Sequence, residues 1–151
     1  MTVESADQDK ASKWAAECRD YTTSVLEQLG QPADLMQADP GTVARILDES
    51  LVQENPALLT QEQRVRLHTL LMAFLAEFLI STHGAHWTWN SVGSRWVVSG
   101  FTHPLGQLVV PVDVAGLVGS ALATGSTISL TALINEAERA AGIRIIRGPR
   151  P

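Results

Sequence analysis

A change of hydrophobic period at Gly84 constrains this chain more than any other feature. Before it, apolar residues recur every three to four positions; after it, they alternate. Leu67, Leu70, Leu71, Phe74, Leu75 and Phe78 step at helical spacing around a wide face, the pattern of a central core helix. His86-Trp87-Thr88-Trp89-Asn90 and Arg95-Trp96-Val97-Val98-Ser99 then follow period two, joined by the turn-forming Ser91-Val92-Gly93-Ser94. Helices and strands that come in separate runs predict an α+β fold rather than a doubly wound sheet.

Local signals set the remaining elements. Trp14, Cys18, Tyr21, Val25 and Leu29 step by about four and predict a helix over 11–29, stopped by Gly30 and Pro32. A loop follows, with Leu35 and Met36 as core anchors. Asp39-Pro40 starts a second helix, with Asp as N-cap and Pro at the first helical position. Its stripe is Val43, Ile46, Leu47 and Leu51, and Asn55-Pro56 ends it. Thr60 and Gln63 form a capping-box pattern for the third helix, and Gly84 suits its left-handed C-terminal residue. Residues 107–112 predict a third strand, with Pro111 at its edge or end because it lacks an N–H. Asp113 caps a helix running to Thr124, and Ser129 or Thr131 starts a last one that turns Leu133, Ile134, Ala137 and Ala141 inward.

The expected architecture is an N-terminal three-helix segment, a three-stranded antiparallel meander packed on the central helix, and two C-terminal helices. One domain spans 11–146, between mobile tails at 1–10 and 147–151. The hairpin register sets Trp89 opposite Trp96 and Trp87 opposite Val98 on one face, which should cover the third helix. The other face carries His86, Thr88, Asn90, Arg95, Val97 and Ser99. It should meet solvent or a partner, so His86, Thr88, Asn90 and Arg95 are candidate binding residues.

Charge narrows the functional classes. The net charge of the 151 residues is −5, spread unevenly. Residues 1–75 carry 12 acids and 6 bases, a balance of −6, and residues 76–151 carry 4 acids and 5 bases, a balance of +1. Phosphate contacts need clustered Lys and Arg, and only Arg144, Arg147 and Arg150 come near that, so no nucleic acid is expected. Cys18 is the single cysteine and fits a buried structural thiol in a reducing compartment. The acidic N-terminus has no basic and apolar signal regions. The apolar stretches at 70–74 and 105–123 are short or broken by Gln107, Pro111 and Asp113. A cytoplasmic protein without a membrane span is therefore expected.

Several side chains could carry chemistry, each with a plainer reading beside it. His83, His86 and His103 flank the hairpin and could hold a zinc ion with one position open. Their spacing matches no metal signature, and exposed or helix-terminal histidines explain them as well, so no metal and no cofactor are expected. Glu77, His86, His103, Asp113 and Arg95 could form an acid–base set between hairpin and central helix. Alternatively Glu77 pairs with a basic group such as Arg95 or reaches water. The tryptophans could form a stacking platform if open, or core packing if covered. Ala115, Gly119 and Ala123 would let another helix approach closely, within the chain or across a dimer.

The segment 74–122 carries Phe-Leu-Ala-Glu-Phe-Leu-Ile-Ser-Thr-His-Gly-Ala-His-Trp, a short hairpin, His-Pro-Leu-Gly and a helix. In this order it resembles small uncharacterised bacterial domains of actinobacterial type, accessory or immunity-like. The resemblance covers about a third of the chain and implies a protein that acts by binding. The expected function is thus non-enzymatic: an immunity-like or regulatory accessory protein acting through protein–protein contact, with a protein partner or as a homodimer. The alternative is a small enzyme that modifies a peptide or metabolite with the His/Glu set.

Overall fold

A computed structural model describes residues 3–52, 54–101, 110–124 and 128–142. Its elements are α1 (Val3–Gln28), α2 (Leu35–Ala38), α3 (Pro40–Leu51), a 3₁₀ turn (Pro56–Leu58), α4 (Gln61–His83), β1 (His86–Asn90), β2 (Arg95–Ser99), α5 (Val114–Ala123) and α6 (Leu130–Ala141). The fold is α+β.

The capping chemistry is as the sequence requires. The Asp39 carboxylate accepts from the Thr42 amide at the start of α3. Thr60 and Gln63 satisfy each other's backbone amides in a reciprocal capping box at α4. Gly84 ends α4 at φ +65°, a left-handed conformation that side chains with a Cβ rarely adopt. The Asp113 carboxylate accepts from Gly116 at α5, and the Ser129 hydroxyl from Ala132 at α6.

The α6 cap has a second layer that no local pattern announces. Asp48, on the third turn of α3, receives the Leu130 amide at 2.6 Å, the Ser129 hydroxyl and the Thr131 amide at 3.4 Å, and the Thr131 hydroxyl. One carboxylate thus satisfies orphan donors at the positive end of a helix 82 residues away.

Helix α4 is the centre of the core. Leu71, Phe74, Leu75, Ala76 and Leu79 are fully enclosed, and α1, α2, α3, α5, α6 and β2 all pack on it. Its length and mean hydropathy of 1.4 over the most apolar stretch would also suffice to cross a membrane, but 39% of that stretch is buried inside the molecule. Removal of that apolar surface from water is the main stabilising term.

The hairpin has the expected register, His86↔Ser99 through Asn90↔Arg95, with Trp87↔Val98 and Trp89↔Trp96. The sheet of described residues has two strands, not three. Val112 forms one bridge with Val98, through bonds of 2.8 and 2.9 Å. Pro111 can donate nothing, and the Val110 amide turns to the Ala141 carbonyl at the end of α6, so the ladder stops there. Residues 107–109 of the expected strand, and the tail at 147–151, lie outside the described residues.

Two other expectations change. Helix α1 begins at Val3, inside the segment expected to be a tail, and Leu35–Ala38 forms a short helix instead of a loop. The aromatic face of the hairpin packs chiefly on α1, not α4. Trp14 stacks on Trp96 with ring centroids 5.4 Å apart at 3°, and meets Trp87 edge-on at 5.7 Å. Trp89 completes the cluster against Trp96 at 5.3 Å, and the Lys10 ammonium lies 3.7 Å above Trp89.

Candidate functional site

The sequence places its acid–base candidates along α4, the hairpin and the start of α5, and the fold separates them. Glu77 is only 2% exposed, on the side of α4 that faces α1. It has no hydrogen-bond partner among the described residues, and its pKa is raised because burial disfavours the charged form. Arg19 of α1, not Arg95, is the cation that partly offsets this. Cys18 lies beside Glu77; burial first, then the carboxylates of Glu77 and Glu17, push its thiol up to about 12. A thiol so far from ionising is inert, as expected for a structural cysteine.

His86 and Arg95 stand at opposite ends of the hairpin. Four residue steps separate His86 from the Asn90–Arg95 pair, roughly 13 Å along the strand. Arg95 is held by Asp113 at 2.7 Å, and Asp113 is also the α5 cap. These two groups tie the hairpin to α5 and do not meet His86 or Glu77. His103 lies outside the described residues.

The histidines do not converge either. The His83 ring donates from Nε2 to the Glu138 carboxylate at 2.8 Å and packs 6.0 Å from Phe101, fastening α4 to α6. His86 is exposed, its ring against Gly100. That glycine has φ +74°, and a Cβ on it would fall 2.2 Å from the ring. Among the described residues no three His, Cys, Asp or Glu side chains are grouped to hold a metal ion. His68, which no motif singles out, donates from Nε2 to the Ala115 carbonyl at 3.0 Å; a carbonyl can only accept, so the tautomer is fixed. The small residues Ala115 and Gly119 thus bring α5 against α4 within the chain.

The polar hairpin face is largely satisfied internally. The hydroxyls of Thr88 and Ser99 bond across the strands at 2.6 Å, and Asn90 accepts from Val92 and Gly93 in the turn. Val97 on this face is buried. Of the four candidate binding residues, Thr88, Asn90 and Arg95 are therefore engaged in holding the hairpin and its neighbours together.

Three concavities mark the described surface, the smallest of about 280 Å³ where Val65 and His68 of α4 meet Gly119 and Leu122 of α5. A cleft of about 640 Å³ lies between the first half of α1 and β1, walled by Gln8, Ala11, Ser12, Ala15 and residues 86–89. It contains His86 but no carboxylate or guanidinium, so it holds half of an acid–base pair at most. The tryptophans beside it face one another and Trp14 rather than forming an open platform. The indole N–H groups of Trp14 and Trp87 are both buried without a partner among the described residues.

The second is a groove of about 470 Å³ at the other end of the helical half, where the end of α1, the end of α3 and the start of α4 come together. Tyr21, Val25, Leu51, Leu59, Leu67 and Leu70 form its apolar floor. Around the same chain ends, Leu29, Val52 and Leu58 are 40%, 64% and 80% exposed, whereas Val65, 55% exposed, faces α5 from the other side of α4. Charged groups on this rim include Glu54 and Arg66, the latter already paired with Glu62. The groove was not foreseen. Its signal lay in apolar residues that outnumber what the core can absorb at the start of α4, and in unpatterned Val52 and Leu58 in a connection.

None of the protein-family models, curated proteins or solved structures compared with this chain matches it.

Proposed function

We propose that this chain is a non-enzymatic accessory protein, immunity-like or regulatory, that works in the cytoplasm by docking another protein. The observation that carries the reading is the gathering of exposed aliphatic side chains around one apolar groove. Leu29, Val52 and Leu58, each next in sequence to a residue that lines the groove, contribute nothing to the core, and together they leave apolar surface in water at one end of the molecule. A cluster of this kind, rimmed by polar groups, is a mark of interaction surfaces. The dispersal of Glu77, His86, Arg95 and Asp113 into separate structural roles leaves the small-enzyme alternative without an assembled acid–base pair.

The test is in-cell cross-linking followed by purification at native abundance, with wild type and a Val52→Asp/Leu58→Asp variant compared. A stoichiometric protein partner that is lost in the variant is the expected outcome. Recovery of the bare chain alone, as monomer or homodimer, would overturn the partner reading. Both substituted positions are exposed, so the fold tolerates the change.

A further inference from the structure

We infer that the groove between α1 and α4 receives a basic amphipathic helix of the partner protein. This rests on the binding reading above and names the partner's chemistry.

The argument begins with the backbone. The groove is walled by α1, α3 and α4, whose amides and carbonyls are paired within their own helices. Among the described residues no strand edge borders it, so an extended peptide would find no ladder to join. An occupant must satisfy its own backbone, and a helix does so.

Shape comes next. Helices α1 and α4 run antiparallel here: Val25 and Leu70 share the groove, while Cys18, two turns back on α1, lies beside Glu77, two turns forward on α4. Tyr21, Val25 and Gln28 recur along one stripe of α1 opposite Leu67 and Leu70. From Glu17 to Gln28 the stripe is about 16 Å long at 1.5 Å per residue, room for roughly three turns of a docked helix with apolar anchors at i, i+4 and i+7.

Charge then selects the partner. On α1, Glu17 prolongs the groove stripe, and Asp20 and Glu27 border it one helical position aside. Glu54 lines it from the α3–α4 connection. None of these four carboxylates has an ion-pair partner among the described residues. The one cation that lines the groove, Arg66, is paired with Glu62, and Arg64, which donates to the Pro56 carbonyl at 2.9 Å, faces the concavity on the other side of α4. An apolar floor with an unneutralised acidic rim complements Leu-rich helices flanked by Lys or Arg. A second copy of this chain fits poorly, because a two-fold contact would set the same acidic rim against itself.

The test uses the full chain and two labelled synthetic helices of about 14 residues. Both carry Leu at i, i+3, i+4 and i+7; one has Lys at its remaining polar positions, the other Glu. Fluorescence anisotropy should show the Lys helix binding at least about tenfold tighter than the Glu helix, with affinity falling as salt rises. Leu67→Asp should remove binding. Ser24→Trp, at an exposed position on the groove wall, should block it without touching the core. Glu27→Lys/Glu54→Lys should reverse the preference between the two helices.

Equal binding of both helices, or a Lys helix still bound by Ser24→Trp, would overturn the proposal. A cross-linked partner that Ser24→Trp retains would also overturn it, yet leave the binding function standing. The absence of any partner in cells would remove the binding function itself.

Discussion

Replacing Glu77 by leucine should make this protein more stable at neutral pH. Glu77 as a whole residue is 2% exposed and lies between α1 and α4, and its carboxyl has no hydrogen-bond partner among the described residues. Burial of a polar group without a compensating bond costs roughly 1–3 kcal/mol in proteins. Leucine at this site removes that cost and keeps most of the volume. A gain of about 2 kcal/mol follows, or roughly 4–8 °C in Tm for a chain of this size. The pH dependence gives an independent handle. The folded pKa is raised above the ordinary 4.5, so the folded state binds the proton more tightly than the unfolded chain. Stability from this group is therefore complete below pH 4.5 and declines as pH rises through the folded pKa, at about 1.4 kcal/mol for each unit between the two values. Urea titrations followed by circular dichroism from pH 4 to 8 on wild type, Glu77→Leu and Glu77→Gln would measure both effects. The difference between wild type and Glu77→Gln isolates the single ionisation from all others. A wild type less destabilised by rising pH than the Gln variant, or a Leu variant weaker at pH 7, would refute the reasoning. Either result would mean that the carboxylate is charged and well paired in the fold.

Other consequences can be measured on the same material. Asp48→Ala removes four acceptor contacts at the start of α6 and should cost about 2 kcal/mol in urea titrations; in a double-mutant cycle with Thr131→Ala the two losses should be less than additive. Trp14→Ala removes the α1 ring that packs on both Trp87 and Trp96, and should cost roughly 3–5 kcal/mol in the same assay. Cys18 should react with a disulfide reagent at pH 8 only as fast as the protein unfolds, and denaturant should accelerate the reaction greatly. Gly100→Ala forces a Cβ into the His86 ring at positive φ, so thermal melts should show a loss of about 1–2 kcal/mol and the His86 proton resonances should shift.

The boundaries that were legible in the sequence are those written in single residues. Thr60 with Gln63, Asp39 before Pro40, Asp113, Ser129 and Gly84 announce helix ends because capping is local chemistry. The hairpin register followed from alternation plus turn length. Elements without periodicity escaped. The start of α1 has almost no apolar stripe, and α2 is four residues long, less than two turns. The third strand is reduced to one bridge among the described residues because an apolar run over 107–112 says nothing about where Val110 finds its acceptor, and Ala141 is 31 residues away. The candidate site escaped for the same reason. Glu77 and Arg95 looked like partners on charge alone, but Asp113 holds Arg95, and the cation that acts on Glu77 is Arg19 of α1. Such pairings depend on which helix covers which face. Here Trp14, more than 70 residues from the hairpin in sequence, decided it.

The clustering of every tryptophan of the chain at the α1–hairpin junction has an optical consequence. Tryptophan fluorescence and the tryptophan bands of the near-ultraviolet dichroism are signals of that junction alone. Rings stacked at 5.4 Å should couple their transitions and give a dichroic band that disappears when α1 lifts away, even with α4 to α6 still folded. The molecule thus carries a built-in gauge at one end and is spectroscopically silent at the other, where only Tyr21 lines the groove. A far-ultraviolet melt lagging a tryptophan melt would mark the release of α1 as a separate, earlier event.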